Sequence, residues 1–470
     1  MTPEATGKLF SGGAFGPQRP AMEPDRMSAA SSSLPNEFTS HAPEQQSNVR
    51  WFVCALLFAA TTINYMDRSV LSLIEPQLHL PFMGWVPGLD AKFQAAYHLN
   101  YGHIIECFQV AYGVGFLFAG RIIDKLGTKR GYAIAILVWA LASISHSAVT
   151  SVLGFCIARI FLGLGESGNF PAAIKAVSEW FPTEERAKAV GIFNSGSNAS
   201  FFIAPILIAA VTSKYGWNSA FLTTGSMGLM WCIVWLVFPY NKLRRGNTTT
   251  QRELAPVMLG GPTYAVLLRN RGFYAFAIGK GLTDPIWWFY LFYLPMFLHD
   301  TYGLDLDHAK YPLIVIYSVS SVGSIAGGWL SGFLMNRGHT VNFGRKTAML
   351  ICALCVVPIL LVPHMHVISP HSAWPAIGLF SLAAAAHQGW SANIFATPTD
   401  MFPSTAISTV VGIGGAVGAA GGAIFTALVS HYFSLHPLVI FLLAAFAYVI
   451  ALLIFQLLVP RLGERLDPVN

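Results

Sequence analysis

Residues Asn64-Tyr65-Met66-Asp67-Arg68 set a carboxyl and a guanidinium side by side at the end of the apolar run 51–63. A charged side chain deep in a bilayer costs a few kcal/mol or more, so a membrane segment keeps one only for a use. Asp67 can bind and release a proton. Arg68 keeps its charge at any ordinary pH and can grip an anion. The two together suit a carboxylate that moves with H⁺. Being neighbours on a helix, they point ~100° apart and need not bind each other.

A second acid and base follow at Arg159 and Glu166, seven residues apart. Seven helical steps return to within about 20° of the start, about 10 Å further along the axis. One face can therefore hold both, Arg159 as an anion clamp and Glu166 as a titrating acid, unless they serve as structural ion pairs. Arg159 can also pair with Asp67 or Glu166 while no substrate is bound. His387 is a third group able to titrate, as a proton site or as a neutral hydrogen-bonded histidine. Lys280 and Asp284 stand four apart and can pair with each other.

The elements that carry these residues are apolar helices. The chain has 470 residues, 54% hydrophobic and 11% charged, against roughly 25% charged in soluble domains. Spans of ~20 residues plus loops make about twelve transmembrane helices. They are expected at 51–72, 102–122, 131–149, 152–176, 187–212 and 218–239, then at 272–298, 310–334, 346–364, 374–397, 405–431 and 435–459. The first six form an N-terminal bundle over 50–239 and the last six a C-terminal bundle over 271–460. Residues 240–270 link them, 1–49 read as a disordered tail rich in Ser, Pro and Gly, and 461–470 as a short second tail. The expected fold is thus all-α and integral to the membrane, twelve helices in two six-helix bundles.

Bases gather at Lys125, Lys129 and Arg130, at Arg337, Arg345 and Lys346, and at Arg461 and Arg465, while the alternate loops have few. That asymmetry puts both termini in the cytoplasm. The net charge of +6 lies beside span ends, as topology demands, and does not form a nucleic-acid footprint. Six cysteines fall in or beside apolar runs. Cys352-x-x-Cys355 reads as two small packing residues, since a metal would need further ligands. No metal and no cofactor are expected.

The halves repeat. Glu179, Phe181-Pro182 and Gly191-Ile192 recur as Asp400, Phe402-Pro403 and Gly412-Ile413, at a constant offset of 221 residues. The same offset sets Glu166 on His387. Duplication of a six-helix bundle leaves such a parallel repeat.

After the second span, Gly120-Arg-Ile-Ile-Asp124-Lys125-Leu-Gly127-Thr-Lys129-Arg130 packs glycines, an acid and paired bases into one loop. The glycines permit close approach and a tight turn, and Asp124 can pair with a base or lie against a helix N-terminus. A gate latch built from Gly120, Asp124, Gly127 and Arg130 fits this density. The loop resembles the signature between helices two and three of the major facilitator superfamily. Its counterpart at Gly328-Trp-Leu-Ser-Gly332 has glycine where the acid is expected, so a second latch must be weaker or built differently.

A narrower resemblance covers nearly all of 50–460. Asn64 to Arg68, Arg159 and Gly163-Leu-Gly165-Glu166-Ser-Gly168-Asn169-Phe170-Pro171 resemble the anion:cation symporter family. The stretch from Leu282 to Pro295, rich in Trp and Tyr, and His387-Gln-Gly-Trp390-Ser391-Ala-Asn393 are similar to its hexuronate transporters. The resemblance implies H⁺-coupled uptake of sugar acids such as glucuronate or galacturonate, driven by the proton gradient, in a bacterial inner membrane. It implies that Arg68 holds the substrate carboxylate, that Asp67 couples to protons, and that Tyr65 and Tyr112 line the site, with Glu166 the further proton-coupling candidate from its spacing. Asn194, Ser197, Trp288, Tyr290, Ser391 and Asn393 are further candidates to touch substrate, as Arg159 is, although Ser and Asn also pack helices together. Relatives often carry an amide where Ser197 stands and another on span eleven, where this chain has glycines.

The expected partners are a small organic anion, H⁺ and lipid, and the chain is expected to act as a monomer. Alternatives are a symporter of an aldonate or a small aromatic acid, or a sugar-acid sensor that does not transport. The sequence holds no His-Glu-x-x-His, no Gly-x-Ser-x-Gly and no phosphate loop, so an enzyme is not expected.

Overall fold

A computed structural model describes residues 43–79, 81–88, 95–246, 264–302, 306–369, 372–432 and 437–462. Most of the expected N-terminal tail, the middle of the 240–270 link and residues 463–470 lie outside the described residues.

The described residues are helical. The long helices are α1 (Pro43–Leu73), α2 (Ala95–Leu126), α3 (Thr128–Ser145), α4 (Val152–Glu166), α5 (Asn169–Trp180), α6 (Thr183–Tyr215) and α7 (Asn218–Val237) in the first half. The second half has α8 (Arg271–Tyr302), α9 (Leu306–Asn336), α10 (Val341–Val356), α11 (Trp374–Met401), α12 (Ile407–Tyr432) and α13 (Pro437–Leu458). With α4 and α5 counted as one crossing, these make the twelve expected. Nine helical segments among the described residues are long and apolar enough to cross a membrane by length and composition alone. Large apolar side chains face outward, among them Leu153, Ile206, Val237 and Leu457, each more than 70% exposed. Water would not tolerate that surface, and a bilayer requires it.

Local chemistry explains where the helices differ from the expected spans. α1 starts at Pro43, inside the stretch read as tail, because proline is preorganised for a first helical turn and Glu44, Gln45 and Gln46 are good helix formers. The fourth crossing is broken at Ser167-Gly168. Pro171 has no N–H to give the Ser167 carbonyl, so the helix restarts there. α10 stops at Val356 and continues as a tighter turn over Val357–His364, with Pro358 at its start. Side-chain caps fix two starts: Ser151 Oγ accepts from Gly154 N at 3.1 Å, and Thr340 Oγ1 accepts from Phe343 N at 3.2 Å.

The two halves meet through glycines. A Cβ at Gly120 on α2 would collide with the Ser408 carbonyl of α12, and one at Gly412 with the Phe116 carbonyl. The other seam repeats this: Gly328 on α9 meets the Ala187 carbonyl of α6, and Gly191 meets that of Ser324. Ala187 and Gly191 precede Ser408 and Gly412 by the 221 residues of the sequence repeat. Both seams are thus one contact used twice, as a duplicated bundle closing on its copy produces. Only residues without a Cβ let backbones come this near.

Candidate functional site

Between the halves lies a cavity of about 100 Å³, tighter than the roughly 300–1,000 Å³ usual for small-molecule pockets. Its first-half wall carries Tyr65 and Arg68 from α1, Tyr112 from α2, and Asn194 and Ser197 from α6. The opposite wall carries Lys280, Asp284, Trp287 and Trp288 from α8, with His387, Gln388 and Ser391 from α11. Phe170 and Phe395 also line it, their rings stacked across the bundles at 5.2 Å.

The turn of α1 decides how Asp67 and Arg68 divide the work. Arg68 faces the cavity. Its Nε donates to Glu166 Oε2 at 2.6 Å and its Nη2 to Asn64 Oδ1 at 3.3 Å. The guanidinium also lies 4.2 Å from the Tyr112 ring centre and 4.7 Å from that of Tyr65. Such a cage holds the cation in place on the cavity wall. Glu166 has no exposed surface, so Arg68 stands between it and the cavity. One step along the helix, Asp67 points into the first bundle. Its Oδ1 accepts from Ser143 Oγ at 2.7 Å, and Ser143 Oγ lies 3.2 Å from Thr224 Oγ1. Asp67 does not line the cavity.

The sequence let Arg159 and Glu166 share one cavity, and the structure corrects this. Both are buried inside the first bundle, behind Arg68. Arg159 lies 5.8 Å from the Phe108 ring and within electrostatic reach of Glu166 and Asp67, with Nε and Nη2 making no hydrogen bond. Glu166 pairs with Arg68 in place of Arg159. The four groups form one buried cluster, of which only Arg68 touches the space a solute would enter.

Asn194 Nδ2 donates to Gln388 Oε1 at 2.6 Å, a bond that joins the bundles across the cavity. Ser197 turns its hydroxyl to the Asn194 carbonyl at 2.7 Å. His387 stacks on Trp287 at 5.1 Å between centroids, and its Nδ1 lies 2.6 Å from the Tyr448 hydroxyl. Two candidates fall elsewhere. Asn393 is buried and donates to the Gly327 and Gly389 carbonyls at 2.8 and 3.0 Å, tying α11 to α9. Tyr290 is buried against Phe289 and Phe380. Lys280, Asp284 and Gln388 line the cavity beyond the expected binding residues, and Trp287 joins them from the aromatic stretch of α8. The signal for Gln388 was a polar amide beside His387 in an apolar span; for Lys280 and Asp284 it was two charges one turn apart.

At one end of the two halves Asp124 binds the other bundle. Its Oδ2 accepts from Thr409 N at 2.7 Å and from Thr409 Oγ1 at 2.6 Å, and its Oδ1 from Ser408 N at 3.3 Å. These are free N–H groups of the first turn of α12, where a carboxylate is favoured. Lys175 on α5 pairs with the same carboxylate at 2.8 Å. Gly120 lets α2 and α12 touch, and Gly127 takes a φ of +79° just before α3. Arg130 is exposed and does not join the latch. The second seam is built differently, as Gly332 demanded. Arg345 Nε binds Asp400 at 2.9 Å while its Nη2 donates to the Thr183 carbonyl of the other half at 2.7 Å. In return Arg186 Nη1 donates to the Thr399 carbonyl at 2.9 Å.

Long helices with lipid-compatible outer faces in two glycine-seamed halves, nine of them apolar enough to cross a membrane among the described residues, with a caged cation on a central cavity, define a multi-pass membrane transporter. Residues 57–426 match the Major Facilitator Superfamily, and the chain belongs to that family, which moves solutes and does not transform them. It is 29% identical over 380 residues to a hexuronate transporter of Escherichia coli strain K12, covering 78% of this chain and 84% of the relative. It is 30% identical over 324 residues to a galacturonate transporter of Dickeya chrysanthemi, covering 66% of this chain and 89% of the relative. Among solved structures, the proton:xylose symporter XylE bound to 6-bromo-6-deoxy-D-glucose superposes with a TM-score of 0.68 at 15% identity, covering 90% of this chain and 98% of that one. That likeness concerns the fold.

Proposed function

We propose that the protein is an H⁺-coupled symporter of a sugar-acid anion such as glucuronate or galacturonate, working by alternating access in a bacterial inner membrane with both termini cytoplasmic. The observation that carries this is the Arg68–Glu166 bond at the cavity wall. A substrate carboxylate arriving on Arg68 competes with Glu166 for the same guanidinium. Displaced into a dry interior, the Glu166 carboxylate becomes costly to keep charged and takes a proton. Substrate binding and proton uptake are thereby linked at one side chain. Asp67, in the same buried cluster, supplies a second proton site. Each charge crossing the field is worth ~2.3 kcal/mol per 100 mV, so inward movement of a monoanion profits from the membrane potential only with more than one H⁺.

The cavity's amide and hydroxyl groups suit a polyol, and Trp287 and Trp288 offer flat apolar surfaces to a sugar ring. After loading, the bundles rock, the Asp124 latch opens and the substrate leaves. The proton gradient is the energy source, no cofactor takes part, and one chain in lipid suffices. The relatives that move hexuronate and galacturonate support this substrate class.

The test is uptake of labelled galacturonate into proteoliposomes holding the purified full chain. An inward H⁺ gradient should drive accumulation, and a protonophore should abolish it. Uptake indifferent to both would refute the coupling, and absence of uptake for every sugar acid tried would refute the substrate class.

A further inference from the structure

The cavity wall opposite Arg68 carries a second ion pair. Lys280 Nζ binds Asp284 Oδ1 at 2.7 Å, both on α8 and one turn apart. Their exposures differ in a telling way. The Lys280 side chain is 5% exposed and that of Asp284 is 21% exposed. The ammonium also lies 3.8 Å from the centre of the Phe395 ring. Its charge is thus shared between a carboxylate and an aromatic face, both on the cavity wall. Both members line the cavity, and the carboxylate presents the larger surface to it. Gly418 of α12 backs it closely, for a Cβ there would run into Asp284 Oδ2. Asp284 packs against the Gly418 backbone on one side and is held by Lys280 on the other. It also lies close enough to interact electrostatically with Tyr65 and Tyr112, the rings around Arg68.

The cavity therefore sets the Arg68 guanidinium on one wall and, on the other, a Lys280–Asp284 pair whose carboxylate is its more exposed member. An ionised carboxylate accepts hydrogen bonds and donates none. It suits the hydroxyl groups of a sugar and repels a second negative charge, and a desolvated like-charge contact is a strong means of exclusion. We propose that Asp284 is a specificity-determining residue, which accepts hydrogen bonds from the hydroxyls at the uncharged end of the substrate and restricts the carrier to sugar acids with a single carboxylate. Uronates and aldonates fit; aldarates, acidic at both ends, are excluded. This rests on the sugar-acid reading above and narrows it.

Galacturonate and galactarate make the comparison, since they share a carbon skeleton and differ in whether C1 is a carboxylate. Binding to the purified full chain is read by tryptophan fluorescence or calorimetry at neutral pH. Galacturonate should bind about tenfold or more tightly than galactarate. In Asp284→Asn the repulsion goes and Lys280 loses its counter-charge, so galactarate should gain until the two differ by less than about threefold. Equal binding of both acids to the unaltered protein would overturn this proposal and leave the sugar-acid reading standing, as would an unchanged ratio in a folded Asp284→Asn. Failure of both acids to bind, together with glucuronate and galactonate titrated beside them, would overturn both. The ratio on the unaltered chain stands as a test even if the variant does not fold.

Discussion

Asp124→Ala removes the side chain that joins α2 to the start of α12. The Lys175 pair lies within the first bundle and persists in any arrangement of the halves, so it does not hold the gate. What closes the gate are the contacts to Thr409 N and Thr409 Oγ1, at 2.7 and 2.6 Å, and the longer one to Ser408 N. Hydrogen bonds to a charged group contribute about 1.5–3 kcal/mol each. Two good ones, taken at the low end because the opened carboxylate keeps Lys175 and regains water, come to about 3 kcal/mol. That shifts the ratio of latched to unlatched molecules by about 100-fold. Asp124→Asn keeps an acceptor without the charge and should shift it about tenfold. Spin labels at Lys125→Cys and Arg337→Cys, both exposed positions at this end of opposite halves, report the separation by pulsed EPR in a background lacking the native cysteines. The expected result is a single short distance in the parent, a growing long-distance population in Asp124→Asn, and its dominance in Asp124→Ala. If Asp124→Ala shows the parent's distance distribution, the Asp124–α12 contact is not what latches this end.

Four further outcomes follow from the same geometry. Arg68→Ala should abolish sugar-acid binding in a fluorescence titration, while Arg68→Lys, which cannot present a planar fork, should weaken it at least about tenfold. Glu166→Gln and Asp67→Asn should retain exchange of labelled for unlabelled substrate in proteoliposomes and lose accumulation against a gradient, because exchange needs no net proton movement. Gly120→Val should block closure at the latch, giving the long EPR distance and no net uptake, since its side chain would occupy the place of the Ser408 carbonyl. Tyr132→Phe deletes the hydroxyl that donates to Asn169 Oδ1 at 2.6 Å inside the first bundle. It should cost about 1 kcal/mol, read as a lower Tm with substrate affinity unchanged.

The helices, their number and the pairing of the halves were legible in the sequence, because apolar length, base asymmetry and a constant repeat are all local or additive quantities. Asp67 and Arg68 stand out as charges at the end of an apolar run, and Asp124 by the density of glycines and bases around it; neither anomaly needs coordinates to be seen. Where side chains on one helix point relative to another helix is a different matter. A helical period shows that Arg159 and Glu166 share a face, but the bundle decides that this face looks inward, behind Arg68. Asn393 and Tyr290 looked like binding residues because polar and aromatic groups are rare in the membrane, and packing turned one onto the backbone of α9 and the other into an aromatic cluster. Lys280 and Asp284 read as a simple pair one turn apart, and only the packed helices set both on the cavity wall, with Phe395 against the ammonium and Gly418 behind the carboxylate. Composition and period act within a single segment of chain. Direction across a cavity depends on how several helices close on one another, so it emerges only when the whole molecule is packed.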